Sequence, residues 1–211
     1  MASKPLISFD EVAQESPFFL DTENRPDWHA VFENDNPLHL EVGFGNGKFL
    51  IEMAAKEPET NFVGLDFYHK GIRKVITRIN KLQIKNIRII YGDAREKTPL
   101  YFKDEDLNRI YINFPDPWPK KRHYKRRLIK PPFVEMITGK LSPDGEVHVA
   151  TDSEPYALEI LEFFEAHSQL KNKLGPGVFR GSRGELPRSK YENNFINAGD
   201  KIYYLDFIKH S

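Results

Sequence analysis

Cysteine is absent from all 211 residues, which excludes disulfide frameworks, thiolate metal sites and cysteine nucleophiles. Long apolar runs are missing as well. None approaches membrane-spanning length and the N-terminus has no charged-then-apolar leader, so a cytoplasmic protein with no membrane partner is expected. There is no internal repeat or low-complexity tract. Even net charge is lacking, with 31 Lys and Arg balancing 31 Asp and Glu. The length suits one domain with a sizeable core; two would be cramped.

The zero sum hides an uneven distribution. Residues 1–66 carry 13 acids and 4 bases, residues 67–150 carry 9 and 19, and residues 151–211 carry 9 and 8. Local potential steers a polyanion, so the middle third is where a nucleic acid is expected to dock. For Lys70 to Lys85 a solvated helix face is an equally good reading. Lys120 to Lys130 is different, because seven of its eleven residues are Lys or Arg and they crowd a proline-rich loop.

Residues 1–36 have weak periodicity and many turn residues, and read as an extension anchored by Phe18, Phe19, Leu20 and Trp28 on a domain spanning 37–211. From Leu38 the pattern is regular. Strands are predicted over 38–42, 61–66, 86–91, 109–113, 146–151 and 202–208. Helices are predicted after Asn46 as N-cap (Phe49, Leu50, Met53 and Ala54 inward), over 70–82 (Ile72, Val75, Ile76 and Ile79 inward), over 128–141 and over 154–167. Ser142-Pro143-Asp144-Gly145 reads as a turn. Alternating strands and helices of these lengths make an α/β fold with a mostly parallel sheet covered on both faces.

In such a sheet a ligand lies beyond the carboxyl ends of the strands. Those ends hold Glu41 with the glycine turn Gly43, Gly45 and Gly47, then Asp66, then Asp93-Ala94, then 113–118, then Thr151-Asp152. The third glycine falls one residue too early for a dinucleotide fingerprint, and Glu41 would repel phosphates. A cationic, phosphate-free ligand suits it better, and S-adenosylmethionine, with its sulfonium and ammonium, is one. Asp66 is placed to grip ribose hydroxyls and Asp93 to accept from the adenine amine. Each acid taken singly could be a solvated loop carboxylate; three in succession favour a shared ligand.

The stretch Arg109 to Lys130 breaks from strand into Asn113-Phe114-Pro115-Asp116-Pro117-Trp118-Pro119. Prolines at alternate positions can continue neither a central strand nor a helix, so a stiff loop must follow. It presents Asp116 beside Trp118 and opens onto the cationic run. A fixed carboxylate next to an aromatic and a basic ramp fits a substrate that is one base of a polyanion.

Taken together, Glu41-x-Gly43-x-Gly45, Asp66, Gly92-Asp93-Ala94, FPDPWPK over 114–120, the Arg/His/Lys cluster after it and Ala150-Thr151-Asp152 resemble the bacterial tRNA (guanine-N7)-methyltransferase family. The likeness runs from Leu38 almost to the C-terminus. FPDPWPK is its specific part. It implies a class I S-adenosylmethionine-dependent methyltransferase, Rossmann-like, with a seven-stranded sheet whose last pair is antiparallel. The implied reaction moves a methyl group from S-adenosylmethionine to N7 of a guanine in the tRNA variable loop. The resemblance implies cofactor contacts from Glu41, Gly43, Gly45, Asp66, Asp93, Ala94 and Asp116. It implies substrate contacts from Lys120, Asp152, Ser189, Lys190, Tyr191 and Glu192. Lys121, Arg122, His123, Lys125, Arg126 and Arg127 would follow the RNA. Two positions depart from the family pattern: Ser189 replaces the usual threonine and Asp66 the usual glutamate, which asks for a closer approach to the ribose or a bridging water. No metal is implied, and the protein would act as a monomer or homodimer.

Guanine N7 has an in-plane lone pair and no proton, so attack on a sulfonium methyl needs no prior general base. Catalysis then rests on alignment and on a carboxylate facing the positive charge that grows on the purine. Asp116 is the first candidate for that role and Asp152 the second. Trp118, Tyr124 and Tyr191 are alternative stacking platforms for a splayed base. An amino-methyltransferase acting on an exocyclic base amine is the nearest rival, although Asp116-Pro117-Trp118 is one proline short of its motif. A nucleotide-linked oxidoreductase is disfavoured by Glu41.

Overall fold

In the computed structural model, which describes residues 16–210, the predicted alternation becomes one eight-stranded sheet with helices on both faces. The elements are β1 (Phe19–Leu20), α1 (Trp28–Phe32), β2 (Leu38–Val42), α2 (Lys48–Lys56), β3 (Asn61–Asp66), α3 (His69–Leu82), β4 (Ile87–Tyr91) and α4 (Ala94–Tyr101). After them come β5 (Leu107–Asn113), a 3₁₀ turn (Lys121–Arg126), α5 (Pro131–Lys140), β6 (Leu141–Thr151), α6 (Glu154–Glu165), β7 (Leu170–Asn172), α7 (Lys190–Ala198) and β8 (Tyr203–Lys209). Strand order is β1-β4-β3-β2-β5-β6-β8-β7. The ladders from β1 to β6 are parallel, and β8 runs antiparallel to both β6 and β7.

The chain moves outward from β2 to β3 and β4, then returns to place β5 on the other side of β2. That reversal is the topological switch point, where strand ends diverge and leave a crevice. β2 and β3 are buried at every residue, as central strands of a doubly covered sheet must be. Alternation sorts their side chains into two cores. Leu40, Val42, Val63, Leu65, Ile110 and Ile112 face α1, α4, α5 and α6. Phe62, Ile87, Ile89 and Tyr111 face α2 and α3.

Several expectations are corrected. The sheet has eight strands where the resemblance implies seven, because Phe19 and Leu20 pair with Ile89 and Ile90 and close the outer edge of β4, an edge otherwise left with unpaired backbone groups. Ser142 to Gly145 is a bulge within β6: the ladder steps from Leu107–Leu141 to Arg109–Glu146, with Asp144 at φ +59°. The N-cap of α2 is Gly47, while the Asn46 side chain accepts from Lys48 N at 3.2 Å. α5 begins at Pro131, three residues later than predicted. Six short elements are not anticipated by the sequence: β1, α1, α4 (which contains Pro99), the 3₁₀ turn, β7 and α7. Among the described residues no helix is long and apolar enough to cross a membrane.

Candidate active site

Gly43, Gly45 and Gly47 all have positive φ, at +74°, +56° and +68°. At Gly47 conformation and space coincide, since a Cβ there would lie 2.1 Å from Val75 Cγ2. The turn therefore packs directly on α3. It is also held by Asp66, whose Oδ2 accepts from Gly45 N at 2.7 Å and whose Oδ1 accepts from Tyr68 N at 2.8 Å. Burial raises the Asp66 carboxyl above its usual range, and these backbone donors oppose the shift.

Beyond the turn lies a cleft of about 930 Å³ at the carboxyl ends of β2 to β5. Gly43, Gly45, Asp66, Asp93, Ala94 and Asp116, all assigned from sequence, line it, together with Trp118, Lys125, Arg126 and Tyr191. A volume of that order suits a nucleoside-sized ligand. Asp93 caps α4, accepting from Arg95 N at 2.9 Å, and its carboxylate also takes a fork from the Arg95 guanidinium, with Nη2 at 2.6 Å. Those Arg95 hydrogen bonds hold it below the usual carboxylate range.

Glu41 is placed differently. It is 2% exposed and lies behind the cleft wall, where Asn113 Nδ2 donates to its Oε1 at 3.0 Å. Burial pushes its carboxyl up to about 8 against the pull of Asn113 and Arg183. Its Oε2 is buried with no hydrogen-bond partner among the described residues. A solvent-shielded carboxylate oxygen with unused capacity fits a cationic group arriving from the cleft.

Asn113 links Glu41 to a further buried pair. Its Oδ1 accepts from Arg183 Nη2 at 2.7 Å, and Arg183 Nε lies 2.6 Å from Glu192 Oε2, with the two side chains 5% and 0% exposed. Glu192 also closes a capping box with Ser189 at the start of α7 and accepts from Tyr204 OH at 2.7 Å. Burial and that Glu192 contact push the Tyr204 hydroxyl up to about 12, so it stays a donor. Ser189 and Glu192 thus work inside the protein, fixing α7 so that Tyr191, 59% exposed, stands over Gly45 on the cleft rim. Lys190 is exposed beside them.

The proline loop is pinned at several points. Phe114 N donates to Ala150 O at 2.8 Å and its ring stacks on Phe195. Phe114 and Trp118 both sit at positive φ, +54° and +44°, which non-glycine residues adopt only when their surroundings impose it. Trp118 carries Arg126 over its ring at 5.0 Å and meets His123 edge-on. Arg127 departs from its neighbours in the basic run. It is 2% exposed, donates to Pro117 O at 2.8 Å, pairs with Glu159, and lies over Tyr124 and Tyr156 at 3.7 and 4.6 Å. Its cation is used internally, which removes it from the RNA-facing set and takes one face of Tyr124 with it. Lys120, Lys121, Arg122, Lys125 and Arg126 remain exposed, His123 is half-buried, and Asp152 is half-buried outside the cleft lining. Arg127→Ala is expected to cost about 2–3 kcal/mol in urea unfolding, from a charge-assisted hydrogen bond and two desolvated cation–π contacts, whereas Arg126→Ala should be near neutral for stability.

Sequence reasoning did not single out Arg95 or Arg183. Arg95 follows an assigned residue and looks like any solvent-facing helix cation. Arg183 lies in a glycine-rich loop whose burial is decided by distant partners.

The strand order, the switch-point cleft and the acids at its rim define a class I methyltransferase. Solved structures agree on the fold: the 16S rRNA methyltransferase KamB superposes with a TM-score of 0.67 at 15% identity, covering 89% of this chain and 95% of that one. The antibiotic-resistance methyltransferase Kmr gives 0.62 at 15% identity over 90% and 95%. A family model described as "Putative methyltransferase" matches residues 35–205. The tRNA (guanine-N(7)-)-methyltransferase of Geobacter metallireducens is 39% identical over 197 residues, 92% of this chain and 93% of the relative. That of Alkalilimnicola ehrlichii is 38% identical over 87% of this chain and 77% of its own length. The chain belongs to the tRNA (guanine-N7)-methyltransferase family.

Proposed function

We propose that this protein transfers a methyl group from S-adenosylmethionine to N7 of a guanine in the variable loop of tRNA. The observation that carries this reading is the single cleft shared by Asp66, Asp93 and Asp116, backed by buried Glu41 and flanked by Tyr191 and the cationic turn. When bound, the cofactor supplies an electrophilic methyl group on a sulfonium. Asp66, already oriented by two backbone amides, keeps lone pairs free for hydroxyl groups. Asp93, released by a shift of the Arg95 fork, accepts from an exocyclic amine. Glu41 offers its unpartnered oxygen to positive charge. Asp116 faces the guanine, accepting from its N1 and N2 protons and stabilising the charge that grows on the ring. Tyr191, with its exposed ring on the rim, supplies the stacking surface for a splayed base, while Lys120, Lys121, Arg122, Lys125 and Arg126 contact phosphates. Incubation with labelled S-adenosylmethionine and unmodified tRNA, followed by nucleoside mapping, tests the assignment. Label in 7-methylguanosine is expected; label in a base methylated on an exocyclic amine would refute it.

The Glu41 role has a pH signature. A carboxyl with a pKa of about 8 is mostly protonated at neutral pH, and a bound cation favours its ionised form, so cofactor uptake releases a proton. Affinity should rise by up to about tenfold per pH unit below 8 and level off above it. Calorimetry in buffers of different ionisation enthalpy measures the proton release, and Glu41→Gln should abolish it. A wild-type titration with no proton release would remove Glu41 from the cation site.

A further inference from the structure

The helix α3 carries Lys70, Arg73, Lys74, Arg78 and Lys81 and no acidic residue in its 14 positions. At 3.6 residues per turn these five cations fall within an arc of roughly 140°, centred opposite the buried stripe of Ile72, Val75, Ile76 and Ile79. Lys70, Lys74 and Arg78 succeed one another at i,i+4, a spacing at which like charges repel. A helix face built only for solvation would intersperse signs. Among the described residues none of the five makes an ion pair, whereas Arg109, Arg127, Lys130, Lys140, Lys173, Arg180 and Arg183 all do. Arg73 Nη2 is in addition shielded from solvent without a hydrogen-bond partner.

The face adjoins the cleft. A Cβ at Gly71 would lie 2.2 Å from Gly45 O, so the first turn of α3 rests on the glycine turn itself. Phe67 and Tyr68, immediately before the helix, line the cleft and are 70% and 51% exposed. From there the cations extend for about 16 Å. The aromatics stop at the cleft end; beyond it the outward side chains are Lys, Arg, Thr77 and Asn80, with Leu82 exposed at the helix's last position. Aromatic surface suits unstacked bases, and a row of cations without it suits backbone phosphates.

Resting on the tRNA reading above, we propose that the outward face of α3 docks the phosphate backbone of a double-helical stem of the same RNA whose loop enters the cleft. The interface would then have two separate charged parts, the 120–126 turn beside the reacting base and α3 along the stem.

The test is the full chain with Lys70→Gln, Lys74→Gln, Arg78→Gln and Lys81→Gln combined, and a matched variant with arginine at the three lysines. Both are titrated with unmodified tRNA and with a short RNA holding the target loop alone. The glutamine variant should bind tRNA at least about tenfold more weakly at low salt, and its log Kd against log salt should be shallower by about 3. The kcat at saturating tRNA should stay within about twofold, the short RNA should bind as it does to wild type, and the arginine variant should retain full affinity. Unchanged tRNA affinity and salt slope would overturn the proposal, and so would an equal loss on the short RNA, which would put the cations at the loop. Wild-type product analysis reads the tRNA assignment independently, so the two ideas fail in different measurements.

Discussion

Asp116→Ala is expected to lower kcat for methyl transfer by about 10²–10³-fold, the scale of losing one preorganised electrostatic group, while Kd for tRNA changes by less than about threefold. The separation follows from where the residue sits. Asp116 is an exposed carboxylate on the cleft wall, and as an anion it makes none of the phosphate contacts that supply most RNA affinity. Its position is fixed in advance. Pro115 and Pro117 stiffen the loop, Phe114 is tied to Ala150, and the Pro117 carbonyl is held by Arg127. A carboxylate so anchored needs no reorganisation as charge develops on the purine. Asp116→Asn keeps an acceptor and loses the charge, so it should fall between alanine and wild type. Filter binding and single-turnover methylation separate the two effects, and parallel losses in both would assign Asp116 to RNA binding alone.

Arg183→Met should destabilise the fold by about 3–5 kcal/mol, because it strips a buried carboxylate of its counter-charge. Arg183 connects Glu192 at the start of α7 to Asn113 at the end of β5, and through Asn113 to Glu41. Methionine fills similar volume between Phe49 and Tyr204, the two rings the guanidinium overlies, so the loss reports charge rather than a cavity. Adding Glu192→Gln should recover part of it, giving a coupling energy in a double-mutant cycle. The same variant should weaken cofactor binding, since Asn113 loses the donor that orients it against Glu41. A stability within about 0.5 kcal/mol of wild type, the range of ordinary surface substitutions, would show that the pair does not organise this region.

What was legible from sequence tracks how local the causes are. β2, α2, β3 and α3 follow from apolar periodicity within their own segments, and Asp66 and Asp93 follow from standing at strand ends, so these were placed almost to the residue. β1 and β7 are two and three residues long and owe their form to a neighbouring strand edge. α7 has one buried position, Glu192, so no apolar stripe marks it. Arg127 and Arg126 are adjacent and identical in type. Only the approach of Glu159, Tyr124 and Tyr156 turns one inward and leaves the other in solvent. Glu41 stands out in the sequence as an acid beside the turn, but its burial and the Asn113–Arg183–Glu192 chain behind it depend on a loop about 140 positions further along the sequence.

The carboxylate rim is tested most directly by calorimetric titration of S-adenosylmethionine into wild-type protein and into a variant combining Asp66→Ala with Asp93→Ala, with no RNA present. The expected result is measurable binding to wild type and a loss of at least about 100-fold in the variant, the scale of two charged hydrogen-bonding groups removed, with the variant still folded at the titration temperature although its unfolding midpoint falls with the lost α4 cap and turn hydrogen bonds. Affinities within about twofold of each other would contradict it, and would place the methyl donor somewhere other than this cleft.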